Sequence, residues 1–105
     1  MYHLITIKAD GTVSDAEQAE CPSLKQLRDA VGGPIESVPF WDAFDGKRAW
    51  VICNSEGKLE ELPYNAKATY IWHFIIGGAS KVDNDVLVGD VLVITCDTDA
   101  EFRRL

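Results

Sequence analysis

The sequence predicts an α+β fold, a small and mostly antiparallel sheet of about four to six strands with two helices packed on it. Three observations predict it. Strand-like apolar runs occur at Tyr2–Lys8, Ala49–Cys53 and Val91–Thr95. Two segments with helical spacing each follow a good N-cap, Ser23 and Asn65. Tight-turn dipeptides, Asp10-Gly11 and Asp45-Gly46, fall where hairpins need them. At 105 residues the chain reads as a single domain, residues 1–105, large enough to bury a core without disulfide or metal staples.

Tyr2 to Lys8 alternates in period two, and Asp10-Gly11 turns the chain back into a polar arm, Thr12 to Glu20. That arm suits an edge strand, where Asp15, Glu17 and Glu20 discourage unwanted pairing. Ser23 with Gln26 matches a capping box for a helix from about Leu24. Leu24, Leu27, Ala30 and Val31 share one face of that helix, and Gly32-Gly33 with Pro34 ends it. Ile35 to Phe40 reads as a strand that Pro39 confines to an edge or an end. Trp41 to Arg48 reads as a hairpin turn, and Ala49 to Cys53, apolar throughout, as a central strand.

After Cys53 the chain reverses through Asn54 to Lys58 and crosses to Pro63. Asn65 then caps a helix that includes Ala66 to Trp72. The stretch Thr69 to Ile76 suits helix or strand, since it is rich in β-branched and aromatic residues. Gly77-Gly78 closes it, Lys81 to Asp85 reads as a polar loop, and Val86-Leu87-Val88 leads through Gly89-Asp90 into the last strand. The tail from Cys96 frays or adds a short helical turn, with Phe102 docking on the core.

The formal charge is −7, from 17 acidic and 10 basic residues, which disfavours direct nucleic-acid binding and suits a basic partner surface. Three cysteines, Cys21, Cys53 and Cys96, far apart and never in a C-x-x-C pair, argue against a disulfide framework and a zinc site. They fit a reducing cytosol. The longest apolar run, Ile71 to Ile76, is interrupted by His73 and too short to span a bilayer. The chain therefore reads as cytoplasmic, with no membrane, metal or cofactor implied.

Several segments in order resemble a known family. They are Asp10-Gly11-Thr12-Val13, Leu24 with Leu27 leading to Val31-Gly32-Gly33-x-Ile35-Glu36-x-Val38-Pro39, and Cys53-Asn54-x-Glu56-Gly57-Lys58-Leu59. Leu62-Pro63-x-Asn65-x-x-Ala68-Thr69-x-x-Trp72 and Val88-Gly89-Asp90-Val91-Leu92-Val93 complete the set. Together they resemble the family called Domain of Unknown Function 3846, found in phages, mobile elements and bacterial genomes. Pro34, where an aromatic is common, and the longer Phe40 to Arg48 hairpin depart from its pattern. The resemblance transfers no activity. Its setting implies an accessory or host-takeover role rather than central metabolism.

No coherent catalytic set appears. His3 and His73 are the only histidines, and Cys53 and Cys96 lie in apolar runs where a thiolate is disfavoured. Gly32-Gly33 follows a helix, so it is a C-cap and not a phosphate cradle. Phe40, Trp41 and Phe44, on a turn-bearing segment, are the aromatics least able to bury, and exposed aromatics mark protein interfaces. They predict a contact with a protein partner or a homodimer. Asp83, Asp85, Asp97, Asp99 and Glu101 form an acidic tail that, on one face, would mimic nucleic-acid phosphates and occupy a host nucleic-acid-binding or defence protein. The alternative is a nucleotide-like small-molecule domain or small enzyme using the loop of residues 54–65, with Asn54, Lys58 and Asn65 as polar contacts.

Overall fold

The computed structural model describes residues 1–105. Alternation in the apolar runs becomes a six-stranded antiparallel sheet. Its strands are β1 (Tyr2–Ile7), β2 (Val13–Gln18), β3 (Ile35–Ser37), β4 (Ala43–Phe44), β5 (Lys47–Asn54) and β6 (Val91–Cys96). The order is β2-β1-β6-β5-β3, and β4 pairs separately with β5 through the Asp45-Gly46 turn. The last strand in sequence is thus the central one, inserted between β1 and β5. In register, Leu4 faces Ile94 across one pair and Ile52 faces Leu92 across the other.

The central strands are apolar on both sides because both sides are covered. Helix α1 (Leu24–Val31) packs Leu27 and Val31 against Ile52, Leu92 and Ile94. Helix α2 (Ala66–Ile76) packs Ala68 and Trp72 against Ile5, Ile7, Val51, Val91 and Val93 on the opposite face. Successive residues of β6 therefore enter alternate cores, as the period-two geometry of a strand requires. The chain is a three-layer sandwich, helix on sheet on helix. A short helix α3 (Asp99–Phe102), with a Thr98–Glu101 capping box, follows β6.

The structure resolves one open expectation and corrects several local ones. Residues 69–76 are helix to Ile76, because the Asn65 cap and the buried Ala68, Thr69 and Trp72 impose a 3.6-residue period on that stretch. β3 stops at Ser37 rather than Phe40, since Pro39 has no N–H for the ladder. Ala79–Val82 forms a 3-10 turn that takes up the first two residues of the expected loop, and Val88 makes only an isolated bridge to Tyr64. Ser23 Oγ caps α1 by accepting from the Gln26 N–H at 3.1 Å, but the Gln26 side chain bonds Gln18 instead of closing a capping box. Phe102 docks half-buried under the Arg48 guanidinium, 4.3 Å from its ring centre.

Candidate functional site

The loop that follows β5 begins with a local turn: Asn54 Oδ1 accepts from the Glu56 N–H at 2.8 Å. Gly57 closes the turn, and a β-carbon there would stand 3.0 Å from Val88. This reversal carries Lys58 back over the sheet edge, where its ammonium pairs with Asp85. His73 on α2 donates from Nε2 to the Asp85 carbonyl at 2.7 Å. Between them lies a cleft of about 90 Å³ whose walls include Glu36, Cys53, Asn54, Lys58, Trp72 and Asp85.

Chemistry in this cleft is quiet. Burial and the neighbouring Glu36 carboxylate push the Cys53 thiol up to about 11, so it stays protonated at neutral pH. Burial raises Asp85, but the Lys58 ammonium and the Val86 N–H outweigh it and leave the carboxyl below its ordinary value. Trp72 Nε1 is committed to the Pro39 carbonyl at 2.9 Å. No three His, Cys, Asp or Glu side chains gather as a metal-binding group. Sites for drug-sized ligands and cofactors run from about 300 to 1,000 Å³, several times this volume.

Of the three polar residues expected to converge here, two do. Asn54 and Lys58 line the cleft. Asn65 does not: it is wholly buried, its Oδ1 caps α2 at Ala68 N–H, and its Nδ2 donates to the carbonyls of Ile7 and Gly89, each at 2.8 Å. It bolts the start of α2 to two other segments. Asn54 Nδ2 is itself buried without a hydrogen-bond partner, and a β-carbon on Gly33 would come within 2.7 Å of it. Gly33 therefore has a packing duty beyond helix termination, which the sequence did not reveal.

The aromatic hairpin is largely turned inward, contrary to expectation. Trp41 is 2% exposed and donates from Nε1 to the Ala43 carbonyl, and Phe44 packs against the α2-side core. The two-residue β4 pairs the hairpin with the start of β5, and both rings join the apolar cluster under α2. Phe40 alone stays outside, 71% exposed, with φ of 65°. It borders a hollow with Ile76 and Lys81 at the C-terminal turn of α2.

Two further aromatics were missed. Tyr70 and Phe74 stand one helical turn apart on the outer face of α2, 72% and 78% exposed. The signal lay in the spacing. With Ala68 and Trp72 inward, positions 70 and 74 fall on the opposite side of a helix at 100° per residue.

The acidic residues are spread toward opposite ends of the sheet. Asp85 sits with Lys58 near the end of β5, whereas Asp97 sits beyond the far end of β6. Six residues of strand at about 3.3 Å each separate the two ends of β6 by about 20 Å. Asp97 accepts from His3 Nε2 at 2.7 Å and lies near the Met1 amino group and Lys47. The His3 hydrogen bond leads the contacts that hold its carboxyl down to about 2, against the opposing effect of burial. Glu101 is bound by the Met1 amino group and Thr98. Asp83 takes a left-handed backbone at the end of the 3-10 turn, and Asp99 opens α3.

No helix is long and apolar enough to cross a membrane. The chain belongs to the family described as Domain of unknown function (DUF3846), whose model matches residues 3–105. No curated protein matches the chain, and no solved structure does.

Proposed function

We propose that this member of the DUF3846 family is an accessory or regulatory protein that acts by contact with another protein, in the phage and mobile-element setting its resemblance implies. The contact surface is the outer face of α2. One observation carries the reading: Tyr70 and Phe74 project into solvent one turn apart while the core beneath them is already complete. Aromatic side chains are enriched at protein interfaces because they bury a large area at low entropic cost. Phe40 supports it. A bulky residue with positive φ costs about 1–3 kcal/mol, and a ring left 71% exposed recovers little of that in the core.

The second reading, a small-molecule domain or small enzyme built on residues 54–65, is favoured by the convergence of Asn54 and Lys58. The cleft volume weighs against it. The experiment compares immobilised wild-type chain with a Tyr70→Lys/Phe74→Lys variant of equal melting temperature. A protein retained from bacterial lysate by the first and lost by the second supports the contact. Identical retention by both overturns it. A thermal shift with nucleotides, abolished by Lys58→Met, would move the second reading ahead.

A further inference from the structure

The sheet has two very unequal edges. β3 is three residues long, with Pro34 before it and Pro39 after it, so it offers little ladder to a partner. β2 is six residues long and unpaired along its whole outer side. Neither helix layer covers it from Val13 to Glu17, which are exposed on both faces; only Gln18, at its end, meets α1 through the Gln26 side chain. β2 is a ledge projecting from the sandwich.

Its backbone is set for pairing. The Lys8 N–H donates to the Thr12 carbonyl at 2.9 Å, which marks Lys8–Thr12 as a hydrogen-bonded pair. Alternation along an antiparallel ladder then makes Thr6–Ser14, Leu4–Ala16 and Tyr2–Gln18 the bonded pairs. Val13, Asp15 and Glu17 consequently turn their N–H and C=O groups toward solvent. Their side chains share the α2 side of the sheet, where Glu17 lies 3.6 Å from His3 and Asp15 borders a hollow of about 120 Å³ with Asp45 and Lys47.

Charge selects the occupant. Between Ala9 and Leu24 the chain carries Asp10, Asp15, Glu17 and Glu20 and no Lys or Arg. A second copy pairing antiparallel about Asp15 would set Asp15 against Asp15, and one residue along would set Asp15 against Glu17. Like charges directly opposite each other destabilise a strand pair. We infer that β2 accepts an extended basic segment of another protein as a seventh strand, with Lys or Arg at alternate positions opposite Asp15 and Glu17. Main-chain bonds at Val13, Asp15 and Glu17 supply affinity and the carboxylates supply selection. The overall charge of −7 speeds the encounter with such a segment. This site is separate from the aromatic face of α2 and stands whether or not that face binds anything.

The test titrates the intact chain with two synthetic octapeptides, one alternating Lys and Thr, the other Glu and Thr. Amide hydrogen exchange and NMR shifts supply the readout. The Lys peptide is expected to protect the amides of Val13, Asp15 and Glu17, to weaken with added salt, and to leave the α2 amides unchanged. Asp15→Asn removes one charge and should weaken binding about three-fold. Asp15→Pro removes the same charge and the outward N–H, so it should weaken binding about ten-fold further. A Pro there is compatible with the β1 ladder because that N–H faces solvent. Should Asp15→Pro unfold, Asp15→Lys/Glu17→Lys serves instead and should switch preference to the Glu peptide. Equal binding by Asp15→Asn and Asp15→Pro overturns the strand pairing. Protection elsewhere, no protection at millimolar peptide, or wild-type self-association through β2 overturns the inference outright.

Discussion

The two long helices cover opposite faces of one sheet, yet they meet water in different ways. Helix α1 is finished as a surface element. Leu27 and Val31 go inward, Lys25, Arg28 and Asp29 go outward, and Lys25 pairs with Asp29 one turn on at 2.7 Å. Only Leu24, in its first turn, is a large apolar side chain left half in solvent. Helix α2 buries Ala68, Thr69 and Trp72, flanks them with half-buried Ile71, Ile75 and Ile76, and shows solvent Tyr70 and Phe74. A helix apolar nearly all round belongs in an interior. The contrast teaches that inner packing and outer composition are set separately: both helices bury an apolar stripe, but only α2 leaves aromatic rings, Tyr70 and Phe74, in solvent.

The inner faces offer the largest effects. Trp72→Ala removes a ring that is 1% exposed, central to the larger core and bonded to Pro39. A loss of about 4 kcal/mol is expected in urea unfolding, against about 3 kcal/mol for Leu27→Ala under α1. The opposite ranking would break the view that the α2 layer is the deeper one. The caps should separate more cleanly. Ser23 is an exposed cap with one bond, so Ser23→Ala should cost about 1 kcal/mol. Asn65→Ala removes the same kind of cap and two further buried hydrogen bonds, to the Ile7 and Gly89 carbonyls, for about 3 kcal/mol in all. Equal costs would mean that water satisfies those carbonyls once the side chain is gone.

Much of this contrast was legible in the sequence, and the illegible part has physical causes. Alternation and turn dipeptides located β1, β2, β5 and β6, because those signals depend on neighbours in the chain. Ser23 and Asn65 marked both helix starts for the same reason. The helix over residues 69–76 was ambiguous because its composition is that of a strand, and only burial against Ile7 and Val93 decides it. Trp41 and Phe44 read as exposed because nothing local shows that they join the core under α2. The cleft was half legible: Asn54 and Lys58 reach it through one turn, whereas Glu36 and Asp85 arrive from remote segments. Asn65 had two tertiary bonds that no spacing encodes.

The outer faces should show the reverse hierarchy, with small stability effects and different functional ones. Tyr70→Lys/Phe74→Lys on α2 and Lys25→Ala/Arg28→Ala on α1 should each change unfolding free energy by less than about 0.5 kcal/mol. Solubility should rise for the α2 variant and stay level for the α1 variant, as read by precipitation with ammonium sulfate. A melting temperature that drops sharply for the α2 pair would mean that its rings support the fold, and the contrast between the helices would narrow.

The smallest effect concerns acid. On the α2 side the segment before β6 is tied down by Asp85, which binds Lys58 through its carboxylate and His73 through its carbonyl. On the α1 side the helix meets the sheet through Leu27 and Val31, and no carboxylate joins the two. The Asp85 carboxyl is held below its ordinary 3.8 despite partial burial, by Lys58 and the Val86 N–H. A depressed carboxyl stabilises the folded state above its unfolded value and loses that contribution as pH falls through the folded value. Acidification below the ordinary carboxyl value of 3.8 should therefore loosen residues 79–88 while α1 is still intact, measured by native-state hydrogen exchange. Lys58→Met removes the main depressing contact, so the segment should already be looser at neutral pH and its further loosening in acid should shrink. Simultaneous loss of protection in both helices at every pH would show that the two layers open as one unit, and that Asp85 anchors nothing of its own.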